Sequence, residues 1–453
     1  AYTDRLFVGA SRTTLLGGYL FKFDLTSDRL HVATSDARLA DRVADNADKF
    51  DLAESESLLV GRDFGITTDI RTGPDGHLYV VSLSDGAVYE VFPLSVIRFV
   101  SETFTVGEGA RRAVITVTRE GDASAAATVE YATQNELARA RGDYTAALGT
   151  LRFAPGERTK TFDVLITDDA FVEGTESVAL YLSEPKGAGL HATFGYATLV
   201  IQDNDATAPA ANPIDDAEFF VRQHYADFLN REPDAAGLQF WTGQITLCGS
   251  NAACVDQRRT VVSAEFFRSI EFQETGFFAH RLYETSFDRP PRLDEFLRDT
   301  QELGRGVVVG QPGWEARLEA NRQAFVARWL ERPDFKSAYD SLTDAQYVDK
   351  LVANAGLMPA QANRDALVAG LTSGTETRAS VLRKVADSEQ LKRNEFNRAF
   401  VLMQYFGYLR REPDEAGYTF WLQKLNNHNG DFQSAEMVRS FLVSGEYRGR
   451  FGP

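Results

Sequence analysis

The chain has 453 residues, 43% of them hydrophobic and 25% charged, with a formal net charge of −17. That length allows about two to four domains with sizeable cores, and the composition is ordinary for folded protein. The acidic balance leaves no basic stripe to displace the counterions of phosphates, which excludes nucleic acid as the expected partner. Acidic excess serves solubility or cation binding. No run of about 20 apolar residues could cross a bilayer, so no transmembrane segment is expected. The chain begins Ala1-Tyr2-Thr3 rather than with Met and shows no signal peptide, so residue 1 reads as a cut point.

Residues 1–92 read as β. The runs 5–9 and 19–25 alternate apolar and polar residues at the strand period, and so does 68–82 around Gly73-Pro74-Asp75-Gly76. Ser84-Asp85-Gly86 supplies a second turn before 87–91. A Thr-Asp-Ile strand, Gly-Pro-Asp-Gly and then Leu-Tyr-Val-Val-Ser resemble the terminal blades of a β-propeller of the glucose/sorbosone dehydrogenase type. Those quinoproteins use pyrroloquinoline quinone and calcium. The resemblance reaches two blades at most, whereas a closed ring takes about four to eight. No catalytic residue carries over, and any oxidoreductase chemistry would lie upstream of Ala1.

Residues 93–206 read as a seven-stranded, immunoglobulin-like sandwich, with strands over 96–100, 104–106, 113–118, 128–131, 160–166, 178–182 and 197–201. Acids gather at the strand ends and loops: Glu108, Asp143, Asp168, Asp169, Glu173, Glu176, Asp203 and Asp205. Alternate loops of a sandwich meet at one end, which brings these groups into an oxygen-rich pocket of the hard kind that calcium prefers. Asp168 and Asp169 could do acid–base work, but adjacent strand-end acids suit a metal better.

The segment resembles the Calx-beta family, the fold of the calcium-sensing domains of sodium–calcium exchangers and of many bacterial surface proteins. The residues that carry the resemblance are Val106-Gly107-Glu108-Gly109, Gly142-Asp143-Tyr144, residues 151–157, Asp168-Asp169 with Glu173 and Glu176, and Asp203-Asn204-Asp205. It implies calcium as the ion and all eight acids as its ligands. Ala170 stands where the most calcium-avid members are acidic, and Asn204 offers an amide where some have a carboxylate. One or two ions are expected rather than four. The alternative is a sandwich kept only as a spacer.

Residues 207–214, with Pro209 and Pro213, read as a short extended linker. Beyond it the hydrophobic period becomes helical, and 215–453 reads as an all-α repeat domain. Arg231-Glu232-Pro233-Asp234 with Gly237, Phe240 and Trp241 returns 180 residues later as Arg411-Glu412-Pro413-Asp414 with Gly417, Phe420 and Trp421. Proline ends one helix or opens the next, Asp caps the new helix, and the Phe-Trp pair is expected on its buried face. Each unit closes on an acidic–aromatic pair, Glu271-Phe272 and Glu446-Tyr447. Units between the copies are degenerate, and 304–313 interrupts them as a loop.

Cys248 and Cys254 flank a Gly-Ser-Asn loop that could close as a disulfide, which fits an oxidising compartment, or remain two thiols. This half resembles a bacterial domain family of unknown function, common on secreted and cell-surface proteins, and the resemblance runs to residue 453, which reads as a native end. The six histidines form no His-x-x-x-His or Cys/His pattern. His224 reads as packing, and Trp241 and Trp421 as core rather than a sugar groove.

No catalytic machinery is legible, and two functions fit. One is a secreted or cell-surface bacterial structural or adhesive protein, stiffened by calcium. Its helical domain would attach it to a surface or matrix component or to copies of itself. The other is the C-terminal part of a secreted quinoprotein sugar dehydrogenase.

Overall fold

The computed structural model describes residues 5–11, 18–26, 29–33, 36–40, 55–73, 78–91, 95–191, 193–205, 211–360 and 362–452. The expected Gly-Pro-Asp-Gly turn after Gly73, and 207–210 of the 207–214 linker, lie outside them. Two compact units are present, one of 1–96 with 119–125, the other of 97–118 with 126–453.

In the first unit β2 (Gly18–Leu25) is central. It pairs antiparallel with β1 (Arg5–Ser11) on one edge, and with β3 (Val32–Ala33) and β4 (Leu59–Arg62) on the other. A separate antiparallel meander follows: β5 (Thr67–Thr72), β6 (Leu78–Ser82) and β7 (Ala87–Val91). Alternation in β6 turns Leu78 and Val80 inward, where they meet Leu20 of β2 and the half-buried Phe7, Phe64 and Ile70. Among the described residues these two sheets form no ring of blades.

Among the described residues the sandwich has nine strands rather than seven. They are β8 (Val96–Phe99), β9 (Thr103–Gly107), β10 (Arg112–Glu120), β11 (Ala127–Asn135), β12 (Leu148–Phe153), β13 (Thr159–Leu165), β14 (Thr175–Lys186), β15 (Gly189–Leu190) and β16 (Tyr196–Gln202). One sheet runs β13-β10-β8-β15, the other β12-β11-β14-β16-β9, with β9 parallel to β16. The strands beyond the expected seven are β12 and the two-residue β15. β12 is an edge strand whose inward residues begin with Gly149, so its apolar alternation is short. Tyr131 of β11 stacks on Phe162 of β13 across the core at 4.0 Å.

The helical part contains α1 (Ala217–Leu229), α2 (Ala235–Thr246), α3 (Ala252–Arg268), α4 (Ile270–Glu274), α5 (Gly276–Phe287), α6 (Leu293–Leu303), α7 (Trp314–Trp329), α8 (Pro333–Tyr339), α9 (Asp344–Asn354), α10 (Arg364–Ser373), α11 (Arg378–Ala386), α12 (Glu389–Met403), α13 (Glu415–Asn427), α14 (Met437–Leu442) and α15 (Gly445–Arg448). Two cores organise them. The first is shared by both copies of the repeated motif, with Phe220, Phe228 and Phe266 from one and Tyr405, Tyr408 and Phe441 from the other. The second belongs to the intervening segment, around Trp329, Tyr339 and Tyr347.

The motif itself is a structural device, twice built. Asp234 and Asp414 cap α2 and α13 through the N–H groups of Gly237 and Gly417, at 3.0 and 2.8 Å. Arg231 and Arg411 lie over the rings of Tyr225 and Tyr405. Each arginine then donates through Nε and Nη2 to the closing glutamate, Glu271 or Glu446. Gly237 and Gly417 admit no Cβ, because it would collide with the hydroxyl of Tyr225 or Tyr405. Trp241 and Trp421 turn toward Phe266 and Phe441, but Phe240 and Phe420 are more than half exposed, at 57% and 55%. Of the expected buried aromatic pair, the tryptophan is half-buried against the core and the phenylalanine is exposed. Helical spacing explains it, since adjacent residues sit about 100° apart and a narrow core stripe takes one of them.

The sandwich and the helices are joined by polar contacts. The Gln301 side chain of α6 accepts from Leu148 N and donates to Ala146 O, and Arg152 pairs with Glu302. Arg450 donates through Nε to Arg141 O while its Nη atoms hold Asp227 at 3.0 Å. Ala170 N donates to Phe451 O. The last of these contacts, with the Arg450–Arg141 bond, anchors the two loops that carry Asp143 and Asp169.

Candidate metal centre

The end of the sandwich gathers the acids because the chain leaves β13, enters β14 and leaves β16 there. Asp143, Glu173 and Glu176 form one triad and Glu108, Asp203 and Asp205 another, each with carboxylate oxygens within 4.8 Å of one another. Asp169 links them: its N–H donates to Glu108 Oε1 at 2.9 Å, and its Oδ1 accepts from Phe171 N at 2.8 Å. Its Oδ2 and that of Asp205 are buried with no hydrogen-bond partner. Asp168 belongs to neither triad. Its Oδ1 accepts from the Asn204 amide at 2.8 Å, and Arg111 Nη2 approaches its Oδ2 at 3.8 Å. The sequence reading does not anticipate Arg111, held in a left-handed backbone at φ 65°.

The electrostatics are those of a cation site. Burial, with Asp168 and Asp203 nearby, raises Glu108 to about 7. Burial, with Glu108 and Glu173, raises Asp169 to about 8. Glu176 also reaches about 8, through burial and through Asp143 beside it. Glu173 and Asp205 rise for the same two reasons. For Asp203 burial works the same way but is outweighed, because the N–H groups of Asp205, Gly174 and Glu173 hold its carboxylate below the ordinary range. Crowded, dehydrated carboxylates with orphaned oxygens fit a hard divalent ion, which supplies the charge and the oxygen contacts they lack.

The remaining candidates resolve plainly. Cys248 and Cys254 are bonded as a disulfide, closing the loop between α2 and α3. His224 is fully buried, bridging Phe220 O and Ser263 Oγ at 2.7 Å each. Burial lowers its pKa to about 4, so the ring is neutral packing.

Comparison with known proteins agrees with this division of the chain. Residues 94–205 match the Calx-beta domain, and residues 207–276 and 388–451 match a domain of unknown function, DUF4214. Among similar proteins are the sodium/calcium exchanger Calx of Drosophila melanogaster, 34% identical over 102 residues, and sodium/calcium exchanger 1 of Mus musculus, 35% identical over 92. The first match covers 22% of this chain and 11% of the relative, the second 20% and 10%. Extracellular matrix protein 3 of Lytechinus variegatus is 32% identical over 121 residues, covering 26% of this chain and 4% of that protein. The matches thus span about a tenth or less of the length of these curated relatives. The crystal structure of the apo-form Calx CBD1 domain is 33% identical and covers 25% of this chain and 99% of that one, with a TM-score of 0.24. The chain therefore contains a Calx-beta β-sandwich followed by an all-helical C-terminal region.

Proposed function

We propose that the sandwich binds one or two calcium ions through Glu108, Asp143, Asp169, Glu173, Glu176, Asp203 and Asp205, with Asp168 reorganising to join them. The two acid triads, with the orphaned buried oxygens of Asp169 and Asp205, carry this reading. Its likeness to portions of sodium/calcium exchangers supports it. Around that site the chain serves as a secreted or cell-surface structural or adhesive protein of a bacterium, its helical domain attaching it to a matrix component or to further copies. The disulfide supports an oxidising compartment. Phe240 and Phe420, exposed at equivalent points of two repeat copies, support a binding role for that domain.

Thermal melting in calcium and in chelator tests the site. Calcium at 100 times its dissociation constant adds about 2.7 kcal/mol to the stability of the native state. The same gain should be absent in Glu176→Gln. A melt indifferent to calcium and chelator overturns the reading.

A further inference from the structure

A second cluster of metal-ligating side chains lies in the helical region, apart from the sandwich acids. His280 and Glu284 stand one turn apart on α5, so both face the same neighbour, and Glu395 reaches them from α12. One ligand atom from each lies within 4.8 Å of the other two. The side chains are 1%, 8% and 10% exposed.

The Nε2 of His280 lies 3.1 Å from Glu395 Oε2 and 3.7 Å from Glu284 Oε1. That nitrogen carries one proton at most, and the shorter contact takes it. Glu284 is 6% exposed as a residue, and among the described residues its carboxylate accepts no hydrogen bond, with His280 Nε2 at 3.7 Å, while His280 Nδ1 is buried with no hydrogen-bond partner. A buried carboxylate with no donor must hold a proton or meet a cation. Phe277 stacks against His280 and packs on Phe396, and Arg398 is the nearby cation, acting on Glu284 through space without a hydrogen bond to it.

We propose that His280, Glu284 and Glu395 bind a single divalent transition-metal ion of the zinc or cobalt type. Imidazole nitrogen and carboxylate oxygen are both ligands that such ions take, and three protein ligands leave a position open for water. Calcium does not suit it, because calcium takes six to eight oxygens. The ion would cancel the charge of both carboxylates. It would also pin α5, which contributes Phe277 to one helical core and Phe278 to the other, onto the start of the second repeat copy.

The test uses the full chain with calcium in large excess, so that the sandwich acids are occupied. Cobalt is titrated in, and its visible d–d absorption reports nitrogen–oxygen coordination. The expected result is one cobalt per chain, displaced by zinc. Glu284→Gln keeps the shape of a side chain that makes no hydrogen bond, so it should fold. It should weaken zinc binding by at least the roughly 10–100-fold typical of a lost outer-shell partner. His280→Gln should abolish the cobalt spectrum, and neither variant should alter the melting shift produced by calcium. Failure of calcium-loaded protein to take up cobalt or zinc, or uptake unchanged by Glu284→Gln in a folded variant, overturns the assignment.

Discussion

Glu446 is shared between two arginines, Arg411 of its own repeat copy and Arg141 of the sandwich loop that holds Asp143. Among the described residues the carboxylate of its counterpart Glu271 accepts from Arg231 alone, and that residue is 5% exposed. One motif thus serves two purposes. The first copy seals a core, and the second also ties the acidic end of the sandwich to the helices.

The two copies should therefore respond unequally to the same change. Arg231→Ala leaves Glu271 buried without its partner, which costs about 3–5 kcal/mol. Arg411→Ala should cost clearly less, because Glu446 keeps Arg141 and its side chain is 33% exposed. Urea unfolding of both variants measures the difference, and equal losses would contradict it.

Calcium binding should be linked to protons. Glu108, Asp169 and Glu176 hold protons more tightly in the calcium-free folded protein than in the unfolded chain. Their contribution to stability is complete below the ordinary carboxylate range and fades as pH rises through about 7–8. Calcium bound as proposed would displace those protons. The gap in Tm between calcium and chelator should then widen from about pH 6 to about pH 9. Calorimetry across that range tests the sign, and a gap that narrows with rising pH refutes it.

Gly237 sits inside the first turn of α2, where alanine would ordinarily gain about 0.5–1 kcal/mol. Here a Cβ meets the Tyr225 hydroxyl, so Gly237→Ala should instead lose about 1–3 kcal/mol. Adding Tyr225→Phe opens the space and should recover most of that loss. A double-mutant cycle by chemical denaturation reads the coupling.

The disulfide between Cys248 and Cys254 closes a short loop, with a sequence separation of 6. Loop-closure entropy for so few residues is worth about 2 kcal/mol. Reduction should lower stability by that order and leave the calcium-dependent shift intact, as a melt with and without reductant would show.

The acids were legible because their loops must meet at one end of a sandwich, whatever its strand count. Their grouping was not, since it depends on backbone donors such as Glu173 N and on the Asn204 amide that holds Asp168. The recurrence of Arg-Glu-Pro-Asp announced two like units and their caps. It could not say that the units complete a single core, because local periodicity carries no information about which faces meet. The adjacent Phe240 and Trp241 both looked fit for burial, and only the packing of Phe266 shows that one is taken. His280 escaped for a related reason. Its partner one turn away is a glutamate rather than a histidine, and the third group comes from a helix remote in sequence.

The shared core of the repeat copies has a consequence for synthesis. The first copy leaves the ribosome 180 residues ahead of the second, as the spacing of Arg231 and Arg411 fixes. At about 5–20 residues per second that is a wait of roughly 10–40 s. During it, Phe228 and Phe266 have no second-copy aromatics to cover them. A nascent chain in that state is a half-site for any other copy of the same surface. Neighbouring chains on one message could pair first copy with second in exchange, and a product cut between the copies would carry that adhesive face permanently.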